Sequence, residues 1–133
     1  MRGRKPELKA IDGGLARLPP APSWLPIEAK AEWRRVVPGL RARKTVTRED
    51  LPMLEAYCLA AGTVRRMQAT LATEGDTITS AKGEVRRHPA FQTMFQALTE
   101  SRRLAAELGL TPASRNKAAP TDTSDDDLSD LDL

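Results

Sequence analysis

The stretch GDTITSAKGEVRRHPAF at residues 75–91, followed by ELGLTPASR at 107–115, carries a boundary signal at almost every change of structure. Gly75 and Gly109 each predict the end of a helix, because glycine tolerates the backbone that closes a helix. The prolines of the HPA and LTPA motifs predict helix starts, since proline lacks an N–H that would have no partner in a first turn. The stretch therefore predicts a helix end, a small hairpin, a second long helix and a short third piece of helix.

Two short β-prone pieces, Thr77–Thr79 and residues 84–85, flank the sequence SAKG. This tetrapeptide has turn chemistry, and Gly83 can take the positive φ that a tight turn requires. The pattern predicts a β-hairpin, with Arg86 and Arg87 directly after it.

Apolar residues on both sides of the hairpin recur at spacings near three and four, which indicates amphipathic helices. Upstream they are Leu51, Leu54, Cys58, Ala61, Met67 and Leu71; downstream they are Phe91, Met94, Phe95, Leu98, Ala105 and Leu108. The upstream helix is expected to begin after Thr47, whose hydroxyl can cap it. Because the hairpin is short, the two helices should pack antiparallel.

An earlier helix is predicted to begin at Pro26, with Ile27, Ala31, Val37 and Leu40 on its apolar stripe and Trp33 and Val36 alongside. Pro38 lies inside this pattern and predicts a kink or break. The expected fold is mainly all-α, an antiparallel helical hairpin core with a small β-hairpin between its two long helices and disordered termini. The organisation expected is a disordered basic arm (1–22), a helical domain (23–117) and a disordered acidic tail (118–133).

Charge is unevenly distributed along the 133 residues. The last thirteen hold six of the 18 acidic residues and no Lys or Arg, so the rest of the chain carries 21 basic against 12 acidic side chains. A basic body suggests a polyanionic partner. The alternative is a solvated surface with a solubilising tail.

Seven short motifs follow one another in a fixed order: GRKP at 3–6, PSWL at 22–25, AKAEW at 29–33, VPGL at 37–40, LEAYC at 54–58, the hairpin with HPA at 79–90, and LGLTPASR at 108–115. This colinear set resembles the small terminase subunit of tailed phages, in the P27 family. The acidic tail after Lys117 is not part of the resemblance.

The resemblance implies a subunit of the viral DNA-packaging terminase that is not an enzyme. Such a subunit binds double-stranded viral DNA, assembles as a homo-oligomeric ring, and recruits and regulates a large ATPase–nuclease subunit in the host cytoplasm. Residues 23–117 would then form the oligomerisation and DNA-binding domain. Two alternatives stay open: a small non-ring DNA-binding regulator, and a metal-dependent nuclease.

Candidate DNA-binding residues are the clustered basic side chains, although each of them taken alone is better explained by solubility or an ion pair. They are Arg2, Arg4, Lys5 and Lys9 in the arm, then Arg34, Arg35, Arg41, Arg43 and Lys44, and finally Arg86 and Arg87. In the tail, the residues expected to contact the large subunit are Asp125, Asp126, Asp127, Leu128, Leu131 and Leu133. Folding of this tail over the basic surface, in competition with DNA, is the alternative.

Signals of catalysis are sparse. The chain lacks a GxxxxGK[ST] phosphate loop, and its single histidine and single cysteine argue against a zinc site. Glu49, Asp50 and Glu55 are of the type that holds Mg²⁺, but the first two are better explained as first-turn helix residues. We therefore predict no catalytic, cofactor or metal residues. No apolar run approaches the ~18 residues of a membrane span, so no membrane partner is expected.

Overall fold

The computed structural model describes residues 13–118, with side chains up to Asn116. Its elements are α1 (Ile27–Arg43), a 3-10 turn (Arg48–Asp50), α2 (Leu51–Glu74), β1 (Thr77–Thr79), β2 (Val85–Arg87), α3 (Ala90–Glu107) and α4 (Pro112–Ala118). The mainly helical fold predicted from the sequence is confirmed, including the hairpin between the two long helices.

The boundaries of α2 follow the predicted signals. Thr47 and Asp50 form a reciprocal capping box, in which the Thr47 backbone N–H donates to Asp50 Oδ2 at 2.9 Å. The first turn is a separate 3-10 turn. At the other end, Gly75 has φ +85° and its N–H donates to the Leu71 carbonyl at 2.8 Å.

The hairpin pairs its strands antiparallel, with Ile78 opposite Arg86. Its turn has Gly83 at φ +85°, as predicted. The second strand is Val85–Arg87, so Arg86 and Arg87 belong to the ladder rather than following it. Directly after the strand, the Ala90 backbone N–H donates to His88 Nδ1 at 3.0 Å and starts α3.

Helix α1 differs from the prediction in two ways. It continues through Pro38 to Arg43, so the predicted break is absent. Proline removes one backbone donor, and the buried side chains of Val36 and Leu40 hold both flanking turns against the core. The predicted stripe is also wrong in part, because Ile27 is 76% exposed. The face that is buried consists of Ala29, Glu32, Trp33, Val36 and Leu40.

Helix α2 lies between α1 and α3 and packs against both. α1 approaches α2 closely at Gly62, where an added Cβ would lie 2.7 Å from the backbone nitrogen of Ala29. The core gathers where α1 overlaps the first half of α2 and the last half of α3. Its buried members include Leu25, Trp33, Leu40, Leu54, Tyr57, Cys58, Leu104 and Leu108.

Past Gly62, α2 and α3 continue as a two-helix extension that carries the hairpin. We call residues 63–101 the distal arm. Only Leu71 and Ala90 are buried among its apolar side chains, whereas Phe95 is 49% and Val85 67% exposed. Most apolar side chains of this part of the molecule are therefore exposed or only half-buried.

Residues 13–22, which the sequence predicted as part of a disordered arm, contact the helical body. The Leu15 N–H donates to the Val46 carbonyl at 2.8 Å, and Trp33 Nε1 donates to the Pro19 carbonyl at 3.1 Å. Leu18 and Ala21 pack against the core. A buried indole N–H requires an acceptor, and this extended segment supplies it. Within residues 13–118, none of the helices has the length and apolarity needed to cross a membrane.

Candidate nucleic-acid interface

An open groove of about 700 Å³ runs between α1 and the extended segment of residues 18–21. Trp33, Val37 and Pro38 provide apolar lining, and the basic lining residues are Lys30, Arg34 and Arg41. We call this feature the α1 groove. Among residues 13–116, no carboxylate lies within 4 Å of these three cations.

The spacing of the three cations along α1 explains why all three line the same groove. Lys30 and Arg34 are four residues apart and Arg41 lies two turns further on, so all three fall along one side of α1. At 1.5 Å per residue they extend over ~16 Å. Arg34 and Arg41 belonged to the predicted set, but Lys30 did not. Its position one turn before Arg34 is the sequence signal that would have identified it.

Arg35, another predicted DNA contact, is bound to a carboxylate instead. Its Nε donates to both oxygens of Glu32, at 3.0 and 3.1 Å, and its Nη2 also contacts Glu32. Tyr57 donates its hydroxyl to Glu32 Oε1 at 2.8 Å, and Arg65 Nη2 lies 4.0 Å from the other oxygen. Glu32 is only 3% exposed, so this network joins α1 to α2 through a buried charge.

The network shifts the titration of its members. Burial alone raises the pKa of Glu32, but hydrogen bonds from Arg35 and Tyr57 outweigh it, and the pKa lies below its ordinary value. Burial and the hydrogen bond to Glu32 raise the pKa of Tyr57 to about 12. Burial, with the charge of Glu32, raises the pKa of Cys58 to about 12, so its thiol is held in the neutral form.

Arg43 and Lys44 do not line the α1 groove. Lys44 is exposed in a left-handed conformation, with φ 52°, at the end of α1. Arg43 lines a separate cavity of about 310 Å³ together with Arg115. Burial and the neighbouring charge of Arg115 lower the pKa of Arg43. In the same cavity wall, Thr45 Oγ1 is buried and has no hydrogen-bond partner among the described residues.

Arg86 and Arg87 form a third basic surface, on the hairpin. Arg86 Nη2 lies 3.7 Å from Glu84 Oε2. The Arg87 guanidinium lies 5.5 Å from the ring centroid of Phe91 and 5.9 Å from that of Phe95, within cation–π range of both rings. The predicted basic residues of the described region are therefore divided among the α1 groove, the Glu32 network, the end of α1 and the hairpin.

In a comparison with known families, a sequence model of the family "Phage terminase, small subunit" matches residues 29–125. The chain belongs to the phage terminase small subunit family. Comparisons with curated proteins and with solved structures gave no match. Family membership supports a role in phage packaging, which takes place in the infected host cell. The narrower P27 assignment stays a prediction.

The match to the terminase small subunits also corrects one expectation. It extends beyond Lys117 to residue 125, so the beginning of the acidic tail lies inside the family pattern. The basic arm residues Arg2, Arg4, Lys5 and Lys9, and all predicted contact residues of the tail, lie outside the described structure.

The carboxylates considered for a metal site in this terminase subunit are not assembled into one. Within the described part of the chain, no group of three or more His, Cys, Asp or Glu side chains is arranged to hold a metal ion. Asp50 accepts hydrogen bonds from the backbone N–H and the hydroxyl of Thr47, as expected of a helix-start residue.

Proposed function

We propose that this terminase small subunit binds double-stranded viral DNA through the α1 groove, assembles as a homo-oligomeric ring, and recruits the large ATPase–nuclease subunit without catalysing a reaction itself. The observation that carries the proposal is the row of three cations on one side of α1, within the region matched by the family. The subunit acts in the host cytoplasm.

The chemistry of the row suits a phosphate backbone. Each strand of B-DNA carries a charge about every 3.4 Å, so three cations over ~16 Å meet several phosphates. Neutralising them releases counterions and makes binding weaken steeply as salt rises. In a ring the row is repeated by every subunit, and many weak contacts sum to useful affinity.

Two further groups of predicted residues extend this surface in the proposal. The arm residues Arg2, Arg4, Lys5 and Lys9 can track phosphates beside the groove, and Arg86 and Arg87 add positive charge on the hairpin. Arg35 contributes less, because its guanidinium is bound to Glu32. Arg43 and Lys44 retain a peripheral role at the end of α1.

Self-association is supported by the distal arm. The distal arm exposes part of Phe95, Ile78 and Val85, although isolated small domains gain stability by burying such side chains. We propose that residues 23–117 serve both assembly and DNA binding, with residues 1–22 as a basic arm whose last part, residues 13–22, is packed on the helical body. Residues 118–133 then provide the acidic tail for the large subunit.

DNA binding is tested with the double variant Arg34→Gln/Arg41→Gln. Removing two phosphate contacts per subunit should weaken binding to duplex DNA of unrelated sequences alike. It should reduce the slope of log affinity against log salt by about 2 for each subunit that contacts the duplex. The measurement is fluorescence anisotropy of labelled duplex over a salt series.

Arg103→Gln is the matched control for this experiment. Arg103 is an exposed arginine of α3 that is ion-paired with Glu100 at 2.8 Å and Glu107 at 3.2 Å. It should bind DNA like the parent protein. Equal affinity and slope for the groove variant and the parent would exclude the α1 groove as the DNA-binding surface.

A further inference from the structure

We infer that the acidic tail of this same chain, residues 121–133, docks in the α1 groove. The tail would then occupy the surface proposed for DNA, and the consequence for DNA binding rests on the proposed function. The docking itself depends only on the groove and the tail.

The groove has apolar lining residues in addition to the cations that a phosphate backbone requires. Val37 and Pro38, backed by the buried ring of Trp33, provide an apolar wall between cations that have no carboxylate of residues 13–116 within 4 Å. Phosphates need only the charges. A ligand that uses both features carries carboxylates and aliphatic side chains together.

The tail has this composition. It contains six aspartates and no Lys or Arg, with Leu128, Leu131 and Leu133 among them. Asp130 and Asp132 alternate with the last two leucines, a pattern that lets an extended peptide direct carboxylates to one side and leucines to the other. The leucines contribute nothing to charge neutralisation, whereas they can pack against the apolar wall of the α1 groove.

The position of α4 makes the groove accessible to the tail. α4 ends at Ala118, and its Arg115 lines the same cavity as Arg43, which is two residues after the groove residue Arg41. An extended chain spans ~3.3 Å per residue, so the connection from Ala118 to Asp125 covers up to ~23 Å. Arg41 and Arg43 point to different sides of α1, so the tail must pass around the end of this helix to reach the groove. A connection of this length permits it, and the tail can then follow the basic row from Arg41 toward Lys30.

Carbodiimide cross-linking of the full-length protein tests the docking, because it joins a lysine amine only to a carboxylate in direct contact. Lys30 is the lysine of the groove, and Lys82, on the exposed hairpin turn, is the internal reference. Peptide mass spectrometry at low salt should find the tail linked to Lys30 several-fold more often than to Lys82. Equal linkage of the tail to both lysines would overturn the proposal.

Two variants keep every lysine and carboxylate that can be cross-linked. One removes cations of the groove, and the other removes the leucines of the tail. Arg34→Gln/Arg41→Gln should lower the yield of Lys30–tail links, whereas Arg103→Gln should not. Leu128→Ser/Leu131→Ser/Leu133→Ser should also lower it, because the aspartates remain but the apolar contacts are lost. If the serine variant gives an unchanged yield of Lys30–tail links, the contact is non-specific charge attraction, which contradicts the docking.

The DNA consequence has a separate readout. The serine variant should bind duplex DNA several-fold more tightly than the parent, since the groove is then freed. If neither the parent nor any variant binds DNA while the Lys30–tail links persist, the proposed function is wrong and the docking is supported. If the tail favours Lys30 no more than Lys82 while Arg34→Gln/Arg41→Gln still weakens DNA binding, the docking fails, and contact of the tail with the large subunit is the alternative.

Discussion

Glu32 illustrates how a single residue links charge to packing. The carboxylate is buried between α1 and α2 and accepts hydrogen bonds from Arg35 and Tyr57. A buried charge is tolerated only when such donors compensate for lost water. The Arg35 side chain is mostly exposed, so its ion pair with Glu32 stabilises the fold less than a fully buried pair would.

Replacing Glu32 with Gln should therefore destabilise the protein by about 1–2 kcal/mol at pH 7. The effect should depend on pH. The pKa of Glu32 in the folded state lies below its ordinary value of 4.5, so its stabilisation is complete above that pH and is lost as pH falls through the folded pKa. Urea unfolding at pH 7 and pH 3 should show the difference between parent and variant shrinking at low pH.

Glu55→Gln serves as the control for Glu32→Gln, because Glu55 has no ion-pair partner among the described residues. It should change stability little at either pH. A Glu32→Gln variant as stable as the parent at pH 7 would contradict a stabilising role for the network.

Gly62 and Gly39 provide a matched pair of helical glycines. Gly62→Ala should destabilise the protein by about 1–3 kcal/mol, because its Cβ would meet the backbone of Ala29 at 2.7 Å. At Gly39 the nearest atom is the flexible end of Arg43, 3.3 Å away. Gly39→Ala should be neutral or stabilising by up to about 1 kcal/mol, from helix propensity. Thermal unfolding of both variants compares them, and equal melting temperatures would contradict the close contact of α1 with α2.

At the scale of the element, the distal arm is the part of the structure least covered by its own chain. Its two helices share little buried apolar surface beyond Leu71 and Ala90. The hairpin at its tip is exposed along both strands. A two-stranded hairpin is only marginally stable alone, and here the stack of Arg87 on Phe91 and Phe95 connects it to α3.

Phe95→Asp should dissociate the proposed assembly, because it places a charge in an apolar contact that subunits would bury. Native mass spectrometry and light scattering should show smaller species, with helical circular dichroism unchanged. Ile27→Asp, an equally polar change at an exposed position of α1, should leave the assembly intact. A parent protein that is already monomeric would favour the alternative of a non-ring DNA-binding regulator.

At the scale of the whole molecule, basic residues that are neighbours in the sequence are distributed over different surfaces. Arg34 and Arg35 are adjacent, yet one lines the groove and the other binds Glu32. Arg41 and Arg43 line different cavities. Affinity for DNA should then come from repetition of one small surface rather than from one large patch.

This repetition predicts that Phe95→Asp weakens DNA binding although it removes no basic residue. Loss of the assembly should lower both the apparent affinity and the steepness of its salt dependence, since fewer phosphate contacts are made at once. Anisotropy titrations of the variant, the parent and Ile27→Asp over the same salt series measure this effect. A dissociated variant that binds DNA as tightly as the parent would show that single subunits suffice.

Local chemistry made much of the fold predictable. The Thr47 cap, the Gly75 and Gly109 ends and the His88-Pro89 start depend on residues close in sequence, and all lie where they were expected. The buried face of α1 was only partly predicted, because Trp33 and Leu40 share it with Glu32, whose burial depends on Tyr57, 25 residues away. The predicted alternative of a break at Pro38 was wrong for the same reason: packing on both sides outweighed one missing backbone donor.

The sequence by itself determined the order of elements, their ends, the separation of charge and the family, since these depend on local backbone preferences and on colinear motifs. Only the tertiary structure decided which basic residues stand together without a carboxylate beside them. That outcome depends on how α1 is rotated against α2, and the rotation follows from the close approach at Gly62 and from the burial of Glu32.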